Sequence, residues 1–408
     1  MKLAIPALLA LTAAAGAQQP TLWETPVEGD EVTLYTAATK GKLAFAAGTQ
    51  LVDAGQDFYG QILGAFDLKT GAQVWLEPGL AATDTRGGAA GEAFLDSLAV
   101  SKSVVVAGGG RDVVPDSLEA SVRAYDQSTG TLLWSQEIPV ADYAKVAAVG
   151  SRAIAMTTLL EQGERAILVA AWSLLDGAEL WSETIDLDDE SLFGLALAAT
   201  PSHVAITGLR TGVGPGNVDI FVQVLDTKTG EPEWDDAFDA SGGFDQGICL
   251  AARGRRLYVG GQQAPEGTPA THGFLRAYDL RDGDVLWTKD LLAPDTNQEQ
   301  VIGLAVHGGR VAAVSLLDFF DVYARAFSAK TGVVQWDELV AEGESALLRP
   351  PGLNGKRCIV ATTGGPVAFD AKDGTRAWDA PLLGLSASVA GSRVVVPGEG
   401  VVAAYPVE

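Results

Sequence analysis

Few residues in this chain combine the type and spacing that chemistry requires. The densest group is Asp186-Leu187-Asp188-Asp189-Glu190, whose alternating carboxylates offer oxygen ligands of the kind calcium takes. A calcium loop also uses a central glycine for its turn and a distal glutamate, and this segment lacks both. It reads instead as a solvated acidic loop. The histidines His203, His272 and His307 are scattered, which implies neither a metal trio nor a nucleophile–base pair. No Gly-x-Ser-x-Gly elbow, His-Glu-x-x-His pair or phosphate loop occurs, and Gly108-Gly109-Gly110 reads as a loop bend. Cys249 and Cys358 are expected to be two small buried thiols, unbridged.

The elements that would position such groups are written more plainly. Seven glycines are each followed four residues later by tryptophan: Gly71/Trp75, Gly130/Trp134, Gly177/Trp181, Gly230/Trp234, Gly283/Trp287, Gly332/Trp336 and Gly374/Trp378. An aromatic or large apolar residue stands five before each glycine, in Phe66, Tyr125, Trp172, Leu225, Tyr278, Phe327 and Phe369. Asp67, Asp126, Asp226, Asp279 and Asp370 follow it, with carboxylates suited to accept from turn amides, while the glycine supplies a positive φ. Each copy is therefore a tight antiparallel hairpin, with Phe66 and Trp75 expected to touch diagonally across it.

Successive tryptophans lie 42 to 59 residues apart, the period of a four-stranded propeller blade. Two further apolar strands fit between consecutive hairpins, as at 145–149 and 153–157, 303–306 and 310–314, and 387–389 and 393–396. Ala, Val and Ile dominate them, as expected of sheets covered on both faces. The chain's last copy lacks its Gly-x-x-x-Trp strand, and the segment around Trp23 matches the missing piece. The prediction is an all-β, eight-bladed propeller of four-stranded antiparallel blades, closed by the N-terminal strand joining the C-terminal blade. His203 and His307 then fall on turns between first and second strands, two blades apart.

Residues 1–17 read as an export signal, with Lys2, an apolar stretch and a small-residue cleavage site at Ala15-Gly16-Ala17. Residues 18–408 then form one domain, because the repeat runs from Trp23 to Tyr405. Beyond the N-terminus no apolar run reaches membrane-spanning length, and no cysteine follows the apolar core to carry a lipid. A periplasmic or extracellular monomer without lipid anchor is expected.

The pattern Ala-x-Asp-x-x-Thr-Gly-x-x-x-Trp, clearest at 65–75, 124–134, 277–287 and 368–378, resembles the pyrroloquinoline-quinone (PQQ) repeat of quinoprotein-type eight-bladed propellers. The resemblance spans almost the whole chain and implies the fold. That family contains PQQ- and calcium-dependent dehydrogenases and also non-catalytic scaffolds such as BamB of the β-barrel assembly machinery. The dehydrogenases use an adjacent cysteine pair, amide and carboxylate calcium ligands and large insertions. Here there is no adjacent cysteine pair, and Asn217, Asn297 and Asn354 are the only asparagines. A protein- or peptide-binding scaffold without catalytic residues or cofactor is the expected function, with the quinone- and calcium-dependent oxidoreductase as the alternative. The repeated tryptophans are expected to pack between blades rather than to touch a ligand.

Charge offers the remaining functional signal. The formal net charge is −24, which argues against nucleic acid because phosphates would be repelled. The loops from one blade to the next are read as holding Asp186, Asp188, Asp189, Glu190, Asp235, Asp236 and Asp239, among other acids. Long loops, at 76–97, 108–121, 208–219 and 260–273, are expected on the same face. The opposite face takes Lys40, Lys42, Lys102, Arg152, Arg253, Arg255, Arg256, Arg310, Lys356, Arg357 and Arg393 in its short turns. The acidic face either binds a basic partner or cations, or serves solubility alone.

Overall fold

The computed structural model describes the chain except for residues 1–16, 19–20, 54–57, 81–89, 114–117, 162–163, 188–189, 212–217, 239–242, 265–269, 295, 345, 347–348, 382–383, 385 and 408. Asp188, Asp189, Asp239 and nearly all of the N-terminal export segment therefore lie outside the described residues. Strands of the first blade run Asp30–Lys40, Leu43–Asp53, Phe58–Asp67 and Gln73–Leu80, hydrogen-bonded in that order. Five more blades follow with the same order, at 90–139, 145–185, 191–238, 246–291, 299–341, and a seventh at 352–379. The eighth blade is Ser388–Ala390, Arg393–Pro397 and Val401–Pro406, completed by Trp23–Pro26. Trp23 pairs with Ala404 and Pro26 with Val401, so the ring closes as expected. First strands touch the first strands of neighbouring blades all the way round, which puts them at the axis. Ala17–Gln18 adds a parallel fifth strand beside Trp378 and Asp379, a pairing that the repeat does not predict.

The repeated hairpins join blades to one another. In the first, Gly71 has φ of 76° and its N–H donates to the Asp67 carbonyl at 2.8 Å. Asp67 Oδ1 accepts from the N–H groups of Lys69 and Thr70 and from the Thr70 hydroxyl, closing the loop as the composition predicts. A Cβ on each glycine would strike or crowd the tryptophan of the preceding blade. Trp23 lies over Gly71, Trp75 over Gly130, Trp134 over Gly177 and Trp181 over Gly230; Trp234 lies over Gly283, Trp287 over Gly332 and Trp336 over Gly374. Each of those seven indoles also donates to the main-chain carbonyl three residues before that glycine. Trp23 reaches Leu68 at 3.1 Å, Trp181 reaches Thr227 at 3.1 Å, Trp287 reaches Ala329 at 3.4 Å and Trp336 reaches Ala371 at 3.1 Å, with Trp75, Trp134 and Trp234 alike. Their enclosure is not uniform, because Trp181 is buried whereas Trp234 and Trp287 are only half-buried.

The aromatic contact differs from the expectation, and the same correction applies along the repeat. A register shift between Ala65 and Phe66 sets Trp75 opposite Ala65, so Phe66 and Trp75 are not a facing pair. Shifts after Ala171 and Ala277 likewise set Trp181 opposite Ala171 and Trp287 opposite Ala277, rather than beside Trp172 and Tyr278. The extra residue of the bulge carries each preceding aromatic away from the tryptophan of its own hairpin. Tyr278 meets Trp234 of the preceding blade instead, at 5.5 Å, and Tyr405 meets Trp378 in the same way at 5.9 Å. Trp287 finds its ring partner inside its blade, in Tyr258 of the second strand at 5.8 Å. Cys249 and Cys358 are free and buried, and burial pushes the Cys358 thiol up to about 12.

The described ends of the segments expected to be long loops are mostly strand, and their centres, 81–89, 114–117, 212–217 and 265–269, lie outside the described residues. Gly108-Gly109-Gly110 is not a bend; it lies inside the strand Val104–Val113. The first strand bulges between Leu95 and Ser97, and a Cβ on Gly109 would overlap the Phe94 carbonyl oxygen. Gly48, Gly208 and Gly261 meet Thr33, Phe193 and Gln246 in the same way. Glycine in these strands answers close backbone approach, which is easily misread as turn composition.

Candidate binding face and axial cavity

The up-down strand order puts blade-to-blade connections and second-to-third-strand turns on one face, and the remaining turns on the other. Lys40, Lys42, Lys102, Arg253, Arg255 and Lys356 are exposed on the second face, as read from the sequence. On the first face the acids divide. Asp186 is exposed after the strand ending at Ile185. Glu190 lies 3.9 Å from Arg210, whose guanidinium also meets Asp219 at 3.2 Å.

Asp235 and Asp236 are not in a connection, because the outer strand Pro232–Phe238 continues through them. Strand alternation leaves Asp235 exposed and turns Asp236 toward the next blade. Asp236 Oδ2 there accepts from the Tyr278 hydroxyl at 2.8 Å and from Arg276 at 3.2 Å. Arg276 in turn stacks 3.5 Å over the Phe238 ring. Asp236 therefore ties two blades together and is withdrawn from the binding face.

The sixth blade carries a feature of this face that the sequence reading missed. Its second strand, Arg310–Leu317, turns into its third, Asp321–Ser328, through Asp318-Phe319-Phe320. Phe320 N–H donates to the Leu317 carbonyl at 3.0 Å, and Asp318 and Phe319 both have positive φ, 44° and 68°. Two left-handed central residues make the mirror-image hairpin turn, for which Asn-Gly is the favoured sequence. Aspartate tolerates that conformation; phenylalanine does so at a cost of about 1–3 kcal/mol. Both rings nevertheless bury little, Phe319 being 53% and Phe320 68% exposed. The Gly-to-Trp repeat does not include Asp318-Phe319-Phe320-Asp321. The signal available was two consecutive aromatics where a turn was due.

The turn is held from below. Asp318 Oδ1 accepts from the Gln298 N–H at 3.1 Å, its Oδ2 accepts from the Thr296 hydroxyl at 2.8 Å, and its own N–H donates to the Gln298 carbonyl at 3.0 Å. That connection is fixed in turn by Glu299, which is fully buried and accepts from the Ala293 N–H at 2.8 Å. Arg325 closes on both Glu299 oxygens as a buried bidentate pair and lies 4.5 Å over the Tyr323 ring.

Along the axis the first strands enclose a cavity of about 580 Å³. Its walls are mainly apolar, and its charges are Asp96, Asp142, Lys145 and Arg349. Lys145 Nζ lies 2.6 Å and Arg349 3.7 Å from Asp96 Oδ2. Calcium would require several converging oxygens, and among the described residues no group of three or more His, Cys, Asp or Glu could hold a metal. With Asp96 engaged by both cations, this donor set does not make the calcium site of a quinone–calcium pair.

The histidines are pinned at the surface. His203 Nδ1 lies 2.7 Å from the Ser202 hydroxyl and Nε2 lies 3.1 Å from Glu233, so structure assembles a Ser-His-Glu line where separation in sequence implied none. Ser202 and Glu233 are exposed on a turn and an outer strand. His272 meets Asp290 at 2.8 Å, and His307 meets Arg253. Among the described residues no helix is long and apolar enough to cross a membrane.

Eight four-stranded blades linked by Gly-x-x-x-Trp hairpins define an eight-bladed propeller of the PQQ-repeat class. The chain belongs to the family described as outer membrane protein assembly factor BamB, whose model matches residues 10–201 and 219–405. Among solved structures it is similar to BamB from Moraxella catarrhalis, at 16% identity and a TM-score of 0.61, with 95% of this chain and 99% of that one covered. It is also similar to a europium-containing methanol dehydrogenase, at 12% identity, a TM-score of 0.57 and 93% and 85% coverage. Sqt1 of Chaetomium thermophilum bound to the N-terminus of ribosomal protein L10 matches at 14% identity and a TM-score of 0.58, covering 93% and 98%. At such identities the likeness is one of fold. No curated protein matches the sequence.

Proposed function

We propose that this chain is an exported, non-catalytic, monomeric protein-binding propeller that takes basic protein segments on the face of its blade-to-blade connections. The observation that carries this reading is the division of charge. Exposed carboxylates such as Asp186 project on one face, whereas exposed lysines and arginines occupy the short turns of the other. A rigid ring with opposite signs on its faces orients a charged partner before contact and favours one side for docking. Membership of the BamB family agrees with a scaffold role, and Sqt1 offers a propeller of this fold engaged with the end of another protein.

The test is charge reversal. Asp186→Lys with Glu190→Lys should weaken binding of a basic peptide and flatten its salt dependence, while Lys40→Glu with Lys42→Glu should not. Equal binding by all variants would end the proposal. Export is checked separately by the N-terminal sequence of protein recovered from the cell envelope or medium.

A second reading, a quinone-dependent oxidoreductase, draws on Lys145 and Arg349 in the axial cavity. Thermal stabilisation by PQQ with calcium, together with dye reduction by alcohols or sugars, would favour it over the scaffold.

A further inference from the structure

We infer that the Asp318-Phe319-Phe320-Asp321 tip of the sixth blade is a specific docking element for a basic protein segment that also carries an apolar side chain. The inference rests on the acidic-face reading and deepens it, by naming the anchor and the partner's chemistry. Four observations converge on the tip.

The first is strain without local return. Phe319 is held at φ of 68° although a glycine or asparagine would fit that turn position freely, and its ring is 53% exposed. So exposed a ring returns little of that strain through packing in the fold. Strain kept at an exposed site points to a role outside the fold.

The second is rigidity. The bonds from Thr296 and Gln298 to Asp318, resting on the buried Glu299–Arg325 pair, fix the turn on the ring. Pre-organised aromatic anchors lose little freedom on binding, which is why they dominate interfaces. The third is paired exposure: Phe319 and Phe320 are consecutive and both open to solvent. Neighbouring apolar rings on an otherwise charged face make a contact surface that water does not favour.

The fourth is the charge around the rings. Asp318 and Asp321 flank them in sequence, and Asp321 Oδ1 accepts from the Gly343 N–H at 2.8 Å, which brings the following connection alongside. That connection carries the exposed Glu342, and also Glu344, whose Oε2 is turned to the seventh blade, where it accepts from the Thr362 hydroxyl at 2.6 Å and the Gly364 N–H at 3.1 Å. Exposed rings with carboxylates in the same turn and in the neighbouring connection suit lysine or arginine next to a leucine-like residue, because the cation meets both the ring and the acidic face. A purely apolar segment would leave the acids unmatched, and a purely basic one would leave the rings wet.

Fluorescence anisotropy with the full chain and three labelled dodecapeptides tests this. The peptides alternate lysine with leucine, alternate glutamate with leucine, or carry lysine alone. The lysine–leucine peptide should bind, the glutamate–leucine peptide should not, and the lysine peptide should bind at least tenfold more weakly. Phe319→Gly with Phe320→Ser should lower affinity for the lysine–leucine peptide by tenfold or more, with no fall in melting temperature because the glycine relieves the left-handed strain. Phe320→Ser alone, which leaves the two left-handed residues Asp318 and Phe319 unchanged, should lose part of that affinity and serves if the double variant is unstable.

Wild-type affinity in both tip variants, or equal binding of the lysine and lysine–leucine peptides, would overturn the tip while sparing the acidic-face reading. Failure of the wild-type protein to bind either basic peptide would overturn both. Loss of binding in the Asp186→Lys/Glu190→Lys variant alone would move the site to the connection between the third and fourth blades and overturn the tip.

Discussion

Trp75 lies across Gly130 of the next blade, and its indole N–H donates to the Gln127 carbonyl at 2.8 Å. The same hand-off joins every blade to its successor from Trp23 through Trp181 and Trp287 to Trp336. Trp378 departs from it: the ring is buried against Tyr405, but its N–H has no partner among the described residues. Trp75→Phe should therefore cost about 0.5–1.5 kcal/mol for the hydrogen bond, beyond the smaller ring. Trp378→Phe should omit that part. Urea midpoints of the two variants should differ in this order.

Glycines of two kinds should separate in the same assay. Gly150 has φ of 60° and nothing within 4 Å of an added Cβ, so Gly150→Ala should cost only the left-handed penalty, about 1–2 kcal/mol. Gly109→Ala places a methyl against the Phe94 carbonyl, and backbone must move. Its cost should be the larger, about 1–3 kcal/mol or more from overpacking, with poorer protection of the second blade in hydrogen exchange.

The hairpin aspartates give the protein a pH dependence of known sign. The Thr70 hydroxyl and then its N–H hold Asp67 below the ordinary carboxylate range, and the Ser128 hydroxyl and then the Thr129 N–H do so for Asp126. A folded value below the unfolded one means stability that is present above the unfolded pKa, about 3.9, and lost as pH falls through the folded value. Asp67→Asn and Asp126→Asn should lower the urea midpoint at pH 7. The gap from wild type should close as pH falls through the folded values, where both carboxyls become protonated.

Removing one partner of the buried pair should be severe. Glu299→Leu leaves the Arg325 guanidinium buried without its acid and the Ala293 N–H without its acceptor, and should cost about 3–5 kcal/mol. Glu299→Leu with Arg325→Met should cost less than the sum of the single changes. Thermal melts of the three variants complete the cycle, and hydrogen exchange at Ala293 should quicken whenever Glu299 is replaced.

Legibility in the sequence followed periodicity. The Gly-to-Trp spacing and its positive-φ requirement exposed blade number, hairpin form and the closure by Trp23, because one residue at each step has a single mechanical task. The ring partner of Trp287 was not legible, since a one-residue bulge changes which side chains meet without changing the spacing. Gly109 misled because close backbone approach and turn formation both call for glycine, and only the bulge opposite tells them apart. Asp236 was misplaced because composition does not reveal which way an outer strand faces. Phe319 stayed hidden because its left-handed φ contradicts local preference. The tether responsible runs from Gln298 on another segment, and local reading does not see it.

Pairing of Trp23 with Ala404 joins, within the eighth blade, two strands that lie far apart in sequence. During synthesis the Trp23–Pro26 strand must therefore wait, without its partner, until the hairpin 393–406 has emerged. Contacts of such long sequence separation make folding slow and leave an open strand edge in the meantime. A ring closed in this way has a dangerous interval that its finished form does not betray, and chaperone dependence should rise most steeply when the closing strand is weakened.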